Sequence, residues 1–238
     1  MYLMFFDSET SGLDVNEDEI LELGYAIYHI DNPAPVVMKS KFITNHKKEI
    51  TAEITEITGI TQAIIDKHGE PGEEVYADLI SDLKKFDIKY MIGHNAYRFD
   101  KNILKNNMAR HGLTLPEVIV ADTQTDIKYK TKSKSMRLSY LLADHGYINP
   151  FPHRALTDAL SCAILVYQYD IQKFLEVAAT PMIEIRADVG YNNKDLAKAL
   201  GYGWDGERKI WIKTIRKYHQ KEEVEKATFP VLELQRVG

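Results

Sequence analysis

Tyr2-Leu3-Met4-Phe5-Phe6-Asp7-Ser8-Glu9-Thr10-Ser11-Gly12-Leu13 decides how this chain is read. Tyr2 to Phe6 is apolar and runs straight into an acid, the pattern of a short strand buried on both faces. Side chains alternate along a strand, so Asp7 and Glu9, two apart, project to the same side. Two carboxylates that close repel, and a buried strand end tolerates them poorly without a cation. Oxygen donors of this kind favour hard ions such as Mg2+ or Mn2+. For an isolated Asp-x-Glu the plainer alternative is a polar strand end that reaches water.

Outward from that strand, residues 21–30 and 36–43 are rich in β-branched and aromatic residues. Asn32-Pro33-Ala34-Pro35 turns the chain between them, so three antiparallel strands open the protein. Val75, Leu79, Leu83 and Phe86 have helical spacing. A strand at Tyr90–Gly93, a helix over residues 100–110 and a strand over residues 118–121 follow, then helices over 136–144 and 156–174, the second long and apolar on one side. Strands first and then alternation predict an α/β domain with a mixed sheet, whose site belongs at the carboxyl ends of strands. From about Met182 the order reads β-α-β-β-α-β, a small α+β module whose hairpin is signalled by Asp205-Gly206. The expected domains are therefore residues 1–178 and 182–238, with the boundary near Val177–Pro181.

Composition sets limits on function. The chain has 238 residues, 45% hydrophobic and 27% charged, as in ordinary globular proteins. Its formal net charge of −5 counts against a protein that merely coats nucleic acid, but not against a nuclease. Such a site needs clustered acids, and metal ions supply the positive charge that meets phosphate. The single cysteine, Cys162, lies in an apolar run, which excludes an internal disulfide and a cysteine-based zinc site. The opening apolar stretch lacks a basic flank and is too short for a signal peptide or a membrane span. A cytoplasmic protein with no membrane contact is expected.

Two further segments carry acids. Gly93-His94-Asn95-Ala96-Tyr97-Arg98-Phe99-Asp100 follows an apolar strand and opens a helix, where Asp100 could simply satisfy the helix dipole. Pro150-Phe151-Pro152-His153-Arg154-Ala155-Leu156-Thr157-Asp158 puts His153 in a loop and Asp158 in the first turns of a helix, where it could equally face solvent. Together with Asp7-Ser8-Glu9-Thr10, these segments resemble the motifs of the DnaQ-like, DEDDh-type 3′–5′ exonucleases: Asp-x-Glu-Thr, His-Asn-x-x-x-Phe-Asp and His-x-x-x-x-Asp, in that order. Ile57-Thr58-Gly59-Ile60-Thr61 resembles the Thr-Gly-Ile segment those enzymes carry before the second motif. The likeness covers about three quarters of the chain. Any one motif is weak evidence, whereas their ordered conjunction is specific.

The resemblance implies a ribonuclease H-like mixed sheet flanked by helices. It further implies Asp7, Glu9, Asp100 and Asp158 as ligands of two Mg2+ (or Mn2+) ions, with His153 as general base. Thr10 and Leu13 match positions that contact the terminal nucleotide, and Ile60 and Phe99 are expected to line the same pocket; core packing is the competing reading for the last three. Phosphodiester hydrolysis by two metals fits this set, and an imidazole can take a proton from water at neutral pH. The expected substrate is nucleic acid with a free 3′ end, taken to be DNA. An exoribonuclease is the nearest rival. A non-catalytic binding protein and a polymerase-associated proofreading subunit are the others; no further protein partner is evident in the sequence.

The tail stretch Gly201-Tyr202-Gly203-Trp204-Asp205-Gly206-Glu207-Arg208-Lys209-Ile210-Trp211-Ile212-Lys213 resembles the C-terminal module of exodeoxyribonuclease X-like enzymes. Its tryptophans either stack on bases or pack together as the core of the module, while Arg208, Lys209 and Lys213 are expected to be free for nucleic acid. Lys132 and Lys134, within the basic run of residues 128–137, are further candidates for guiding a strand, against the reading of a solvated loop.

Overall fold

The computed structural model describes residues 1–44, 47–130 and 133–234. The chain divides into two compact units, Met1–Leu175 and Glu176–Gly238.

In the first unit, β1 (Tyr2–Thr10) pairs antiparallel with β2 (Ile20–His29), and β2 pairs antiparallel with β3 (Pro35–Phe42). Two short helices not foreseen from periodicity follow, α1 (Ala52–Thr58) and α2 (Gln62–His68). Each is begun by a threonine: the Thr51 hydroxyl accepts from the Ile54 amide and the Thr61 hydroxyl from the Ile64 amide. Gly59, at φ 71°, closes α1 in the left-handed conformation that glycine adopts without strain. Helix α3 (Gly72–Lys85) leads to β4 (Tyr90–Gly93), α4 (Asp100–Arg110) to β5 (Ile119–Asp122), and α5 (Leu138–Asp144) to α6 (Ala155–Val166). The sheet order is β3-β2-β1-β4-β5, with β4 parallel to both β1 and β5.

β1 is central and covered on both sides, which explains its unbroken apolar run. On one face Met4, Phe6, Leu23 and Tyr25 pack with Tyr76 and Leu79 of α3 and Ile103 and Leu104 of α4. On the other face lies α6, and beyond its end Tyr167 meets Phe5 and Tyr28, with ring centroids 6.4 and 5.7 Å away. Cys162 is fully buried.

The single helix expected over residues 156–174 is corrected to two, α6 and α7 (Ile171–Ala179). Asp170 begins the second, its carboxylate accepting from the Lys173 amide at 3.0 Å. The apolar pattern continues through the break and hides it.

The second unit runs β6 (Met182–Ala187), α8 (Lys194–Ala199), β7 (Gly203–Asp205), β8 (Ile210–Arg216), α9 (Gln220–Lys226) and β9 (Val231–Glu233). Its antiparallel sheet has the order β7-β8-β6-β9. Ile185, Ala187, Ala197, Tyr202 and Ile215 form its core. No helix among the described residues is long and apolar enough to cross a membrane.

Candidate active site

The carboxyl end of β1 carries Asp7 and Glu9, with Asp7 opposite Gly24 and Glu9 opposite Glu22 on β2. Gly24 is what lets α6 come near. A Cβ there would stand 2.1 Å from the Leu156 amide nitrogen and 2.3 Å from the Ala155 carbonyl carbon. Only a glycine allows that backbone approach, and it brings Asp158, in the first turn of α6, to the two acids of β1. Asp100 arrives from the start of α4, buried, its Oδ1 accepting from the Ser8 hydroxyl at 2.6 Å.

The four carboxylates feel one another. Asp7 is pushed well above the ordinary aspartate range by burial and then by Asp100, Asp158 and Glu9. Burial, with Asp158 and Glu22, pushes Glu9 up to about 8. Asp100 rises to about 6 through burial, held back by its bond from Ser8. Asp158 likewise rises to about 6 through burial, held back by the backbone N–H and charge of His153. Desolvation and like charge both favour the protonated form. The donor set, all carboxylate oxygen with one imidazole beside it, is what a hard divalent cation takes. Ligating atoms of Glu9, His153 and Asp158 lie within 4.8 Å of one another.

His153 is exposed on its loop and has left-handed backbone, φ 60°, a state uncommon outside glycine that histidine, like Asn and Asp, adopts more readily than most residues. Two ties hold it there. Its N–H donates to Asp158 Oδ2 at 3.0 Å, and its neighbour Arg154 donates to fully buried Glu22 at 2.9 and 3.1 Å. The Ser40 hydroxyl adds a bond of 2.6 Å to Glu22. Asn149 Nδ2 donates to Asp158 Oδ1 at 2.5 Å. Asp122, at the end of β5, accepts from the amides of Asn95, Tyr97 and Gln124 and so shapes the turn that ends at Asp100. His94 braces the same turn through Thr123 and the Met136 carbonyl. None of Glu22, Gly24, Asn149 or Asp122 was signalled by the sequence, because each sits in a stretch that reads as ordinary strand or loop.

A cleft of about 670 Å3 opens over Asp7, His153 and Asp158, with Leu13, Asn149 and Arg137 also lining it. Leu13 is 85% exposed, so core packing does not account for it. Ile60 is fully buried and packs with Leu21 and Ile65, while Phe99 packs partly buried against the main core; neither lines the cleft. Thr10 is buried, its hydroxyl donating to the Gly12 carbonyl at 2.7 Å. Of the basic run, Arg137 reaches the cleft, Lys134 is exposed, and Lys132 lies outside the described residues.

In the second unit the expected free cations need correction. Arg208 donates to both Glu184 oxygens at 2.5 and 3.0 Å and to Asp205 at 2.6 Å. Lys213 donates to the Leu200 carbonyl at 2.7 Å and to Glu223 at 2.8 and 2.9 Å. Lys209 is exposed in the hairpin turn. The tryptophans do meet, with centroids 5.4 Å apart, yet on the surface: Trp204 is 53% exposed and absent from the core of the module.

Residues 4–166 match the family model described as RNase_T, exonuclease. Among curated proteins, a PolC-type DNA polymerase III of Ureaplasma parvum is 26% identical over 184 residues, 76% of this chain and 12% of that protein. The chain thus spans about an eighth of the length of the curated relatives it matches. Among solved structures, exonuclease I of E. coli in complex with a dA16 oligonucleotide aligns with a TM-score of 0.67, at 14% identity, over 96% of this chain and 68% of that one. The nuclease domain of 3'hExo, described as a DEDDh family member bound to rAMP, aligns with a TM-score of 0.60, at 16% identity, over 70% of this chain and 90% of that one. The mixed sheet flanked by helices is thus the ribonuclease H-like exonuclease fold.

Proposed function

Because this chain belongs to the RNase_T exonuclease family, we propose that it removes nucleoside monophosphates from the 3′ end of DNA, with Asp7, Glu9, Asp100 and Asp158 as ligands of two Mg2+ or Mn2+ ions. One observation carries the reading: four acids converge at one strand end, each pushed toward its protonated form. Neutralising them with protons alone would leave a site with no evident purpose, whereas divalent cations satisfy all four. When bound, such a pair activates the attacking water and stabilises charge on the phosphate and the leaving 3′ oxygen.

His153 is the general base. Its proximity to Glu9 and Asp158 and its exposure to the cleft support that role, and Asp158 and the Arg154–Glu22 pair orient its loop. Leu13 packs against the terminal base from the rim, and Arg137 meets the phosphate backbone of the entering strand. Thr10 braces the turn that carries Leu13 through its bond to Gly12. DNA is favoured over RNA because the curated relatives are described as DNA polymerases. The same relatives favour a second reading, in which this exonuclease works beside a polymerase.

The test incubates 3′-labelled and 5′-labelled single-stranded DNA, duplex DNA and RNA with Mg2+, Mn2+ or EDTA. Metal-dependent release of mononucleotides from the 3′ end of DNA, lost in Asp7→Asn, is expected. His153→Ala should retain metal and DNA binding yet lose most turnover; unchanged turnover would sink the base assignment. Preference for RNA would move the reading to an exoribonuclease. Binding without any cleavage would leave a non-catalytic nucleic-acid protein.

A further inference from the structure

The second unit carries a cavity of about 470 Å3, within the range of about 300–1,000 Å3 typical of ligand sites. Its walls include Trp204, Trp211, Lys194, Lys198, Lys209 and Arg186. We infer that this cavity is a second nucleic-acid site, where a single strand stacks a base on the tryptophans and lays its phosphates against the lysines.

Two observations carry the inference. The first is the exposure of the aromatics. Trp204 and Trp211 face each other across the β7–β8 pairing with their planes tilted by 56°. A tilted pair leaves ring face open to a third aromatic, and Trp204 remains half in water although a core lies close by in the same unit.

The second is the sign of the charge. Three lysines, Lys194, Lys198 and Lys209, and no carboxylate are among the lining residues, in a chain whose net charge is −5. Lys198 stands 5.8 Å from the centre of the Trp211 ring and 3.3 Å from Asp195, a pair that is open to solvent and therefore readily exchanged for a phosphate. Lys209 extends from the hairpin turn with left-handed backbone at φ 55°, fixed by Asp205, whose Oδ1 accepts from the amides of Glu207 and Arg208.

Flat aromatic faces beside several lysines describe a base joined to phosphate. An acidic peptide would satisfy the cations and leave the stacking surface unused.

The site can be read in isolation, because Trp204 and Trp211 are the two tryptophans of the chain. Tryptophan fluorescence of the full chain in EDTA, which stops turnover, is titrated with single-stranded oligothymidylate of about 16 nucleotides, long enough to fill such a site. Saturable quenching that weakens as salt rises is expected. Lys209→Glu and Lys198→Glu should each weaken binding about tenfold with unchanged circular dichroism. Trp204→Ala, followed by polarisation of a labelled strand, should lose about as much.

No quenching, or quenching indifferent to both lysine changes, overturns the inference. So does quenching by thymidine monophosphate at the same concentration as the oligonucleotide, which would mark a mononucleotide pocket. An acidic, tryptophan-free peptide that matches the oligonucleotide also overturns it. The inference does not depend on the catalytic reading: cleavage without quenching sinks this site alone, and quenching without cleavage sinks the catalytic reading alone.

Discussion

Two groups of charged residues in this chain are built in opposite ways. At the end of β1, Asp7, Glu9, Asp100 and Asp158 face one another, and neither Arg154, beside Glu9, nor the backbone N–H of His153, on Asp158, brings them back to ordinary behaviour. In the second unit Arg208 and Lys213, which look as suitable for phosphate as any cation in the sequence, are each closed off by carboxylates of the same unit. Charge left unbalanced costs stability and persists where something outside the chain is meant to balance it. Charge balanced within the fold is architecture. The contrast separates candidate ligands from structural ion pairs where residue type does not.

The comparison breaks most visibly at Asp7. Asp7→Asn should lower metal-dependent nucleotide release by about 10³-fold or more, since the metal contribution to catalysis is several kcal/mol. The same change removes a charge that its neighbours oppose, so the EDTA-treated variant should melt higher than the parent. Activity lost together with stability would mean that Asp7 serves the fold and not a ligand. Calorimetry beside the nuclease assay distinguishes the two outcomes.

Gly24→Ala is the next largest. The new methyl would meet the backbone of Ala155 and Leu156, which cannot rotate aside. We expect a loss of about 3 kcal/mol, the upper end for overpacking, seen as a lower urea midpoint. Because α6 must retreat and takes Asp158 with it, turnover should fall even in the fraction that stays folded. A variant with normal turnover would show that Asp158 can be supplied without this close approach.

How much of this was legible beforehand follows from the range of each interaction. Asp7 and Glu9 could be read as a pair because strand periodicity is local, and the ordered motifs signalled Asp100, His153 and Asp158. The approach that brings Asp158 to them depends on Gly24, a residue with no local signature in a strand. Glu22 looks like any acid in an apolar strand until Arg154, far along the chain, is seen to bind it. The break between α6 and α7 is invisible to a pattern of apolar residues that continues across it, although Asp170 marks it. For Ile60 and Leu13 the residue type suggests burial in both cases; only the fold separates the buried one from the one on the cleft rim. Arg208 and Lys213 show the same limit, since a sequence displays charge and conceals partners.

The acid cluster also predicts how stability follows pH. The four carboxylates bind protons more tightly folded than unfolded, with Glu9 at about 8 and Asp100 and Asp158 at about 6. Between the unfolded values near 4 and those folded values, the folded state therefore holds more protons, and stability falls as pH rises. In EDTA the melting temperature should drop by several degrees or more between pH 5.5 and 8.5. Mg2+ or Mn2+ should restore it, and most strongly at the higher pH, where protons no longer compete with the ion. A metal effect independent of pH would locate binding away from these acids.

The smallest effects sharpen the contrast from the other side. Lys213→Ala leaves Glu223 buried without its ammonium and should cost about 1–3 kcal/mol, read as a lower urea midpoint. Arg208→Ala removes an ion pair that stands in water, where such pairs contribute little, and should leave the melting temperature nearly unchanged. It should also leave oligonucleotide binding nearly unchanged, because the guanidinium is already held by Glu184 and Asp205 and is not among the groups lining the tryptophan cavity. Lys209, the adjacent residue, should behave in the opposite way, insensitive in melting and sensitive in binding. Two neighbouring cations with inverted phenotypes would be hard to obtain from any account based on charge alone. If Arg208→Ala instead weakened binding as much as Lys209→Glu, its carboxylate partners would have to exchange for phosphate, and a closed ion pair would no longer mark a residue as structural.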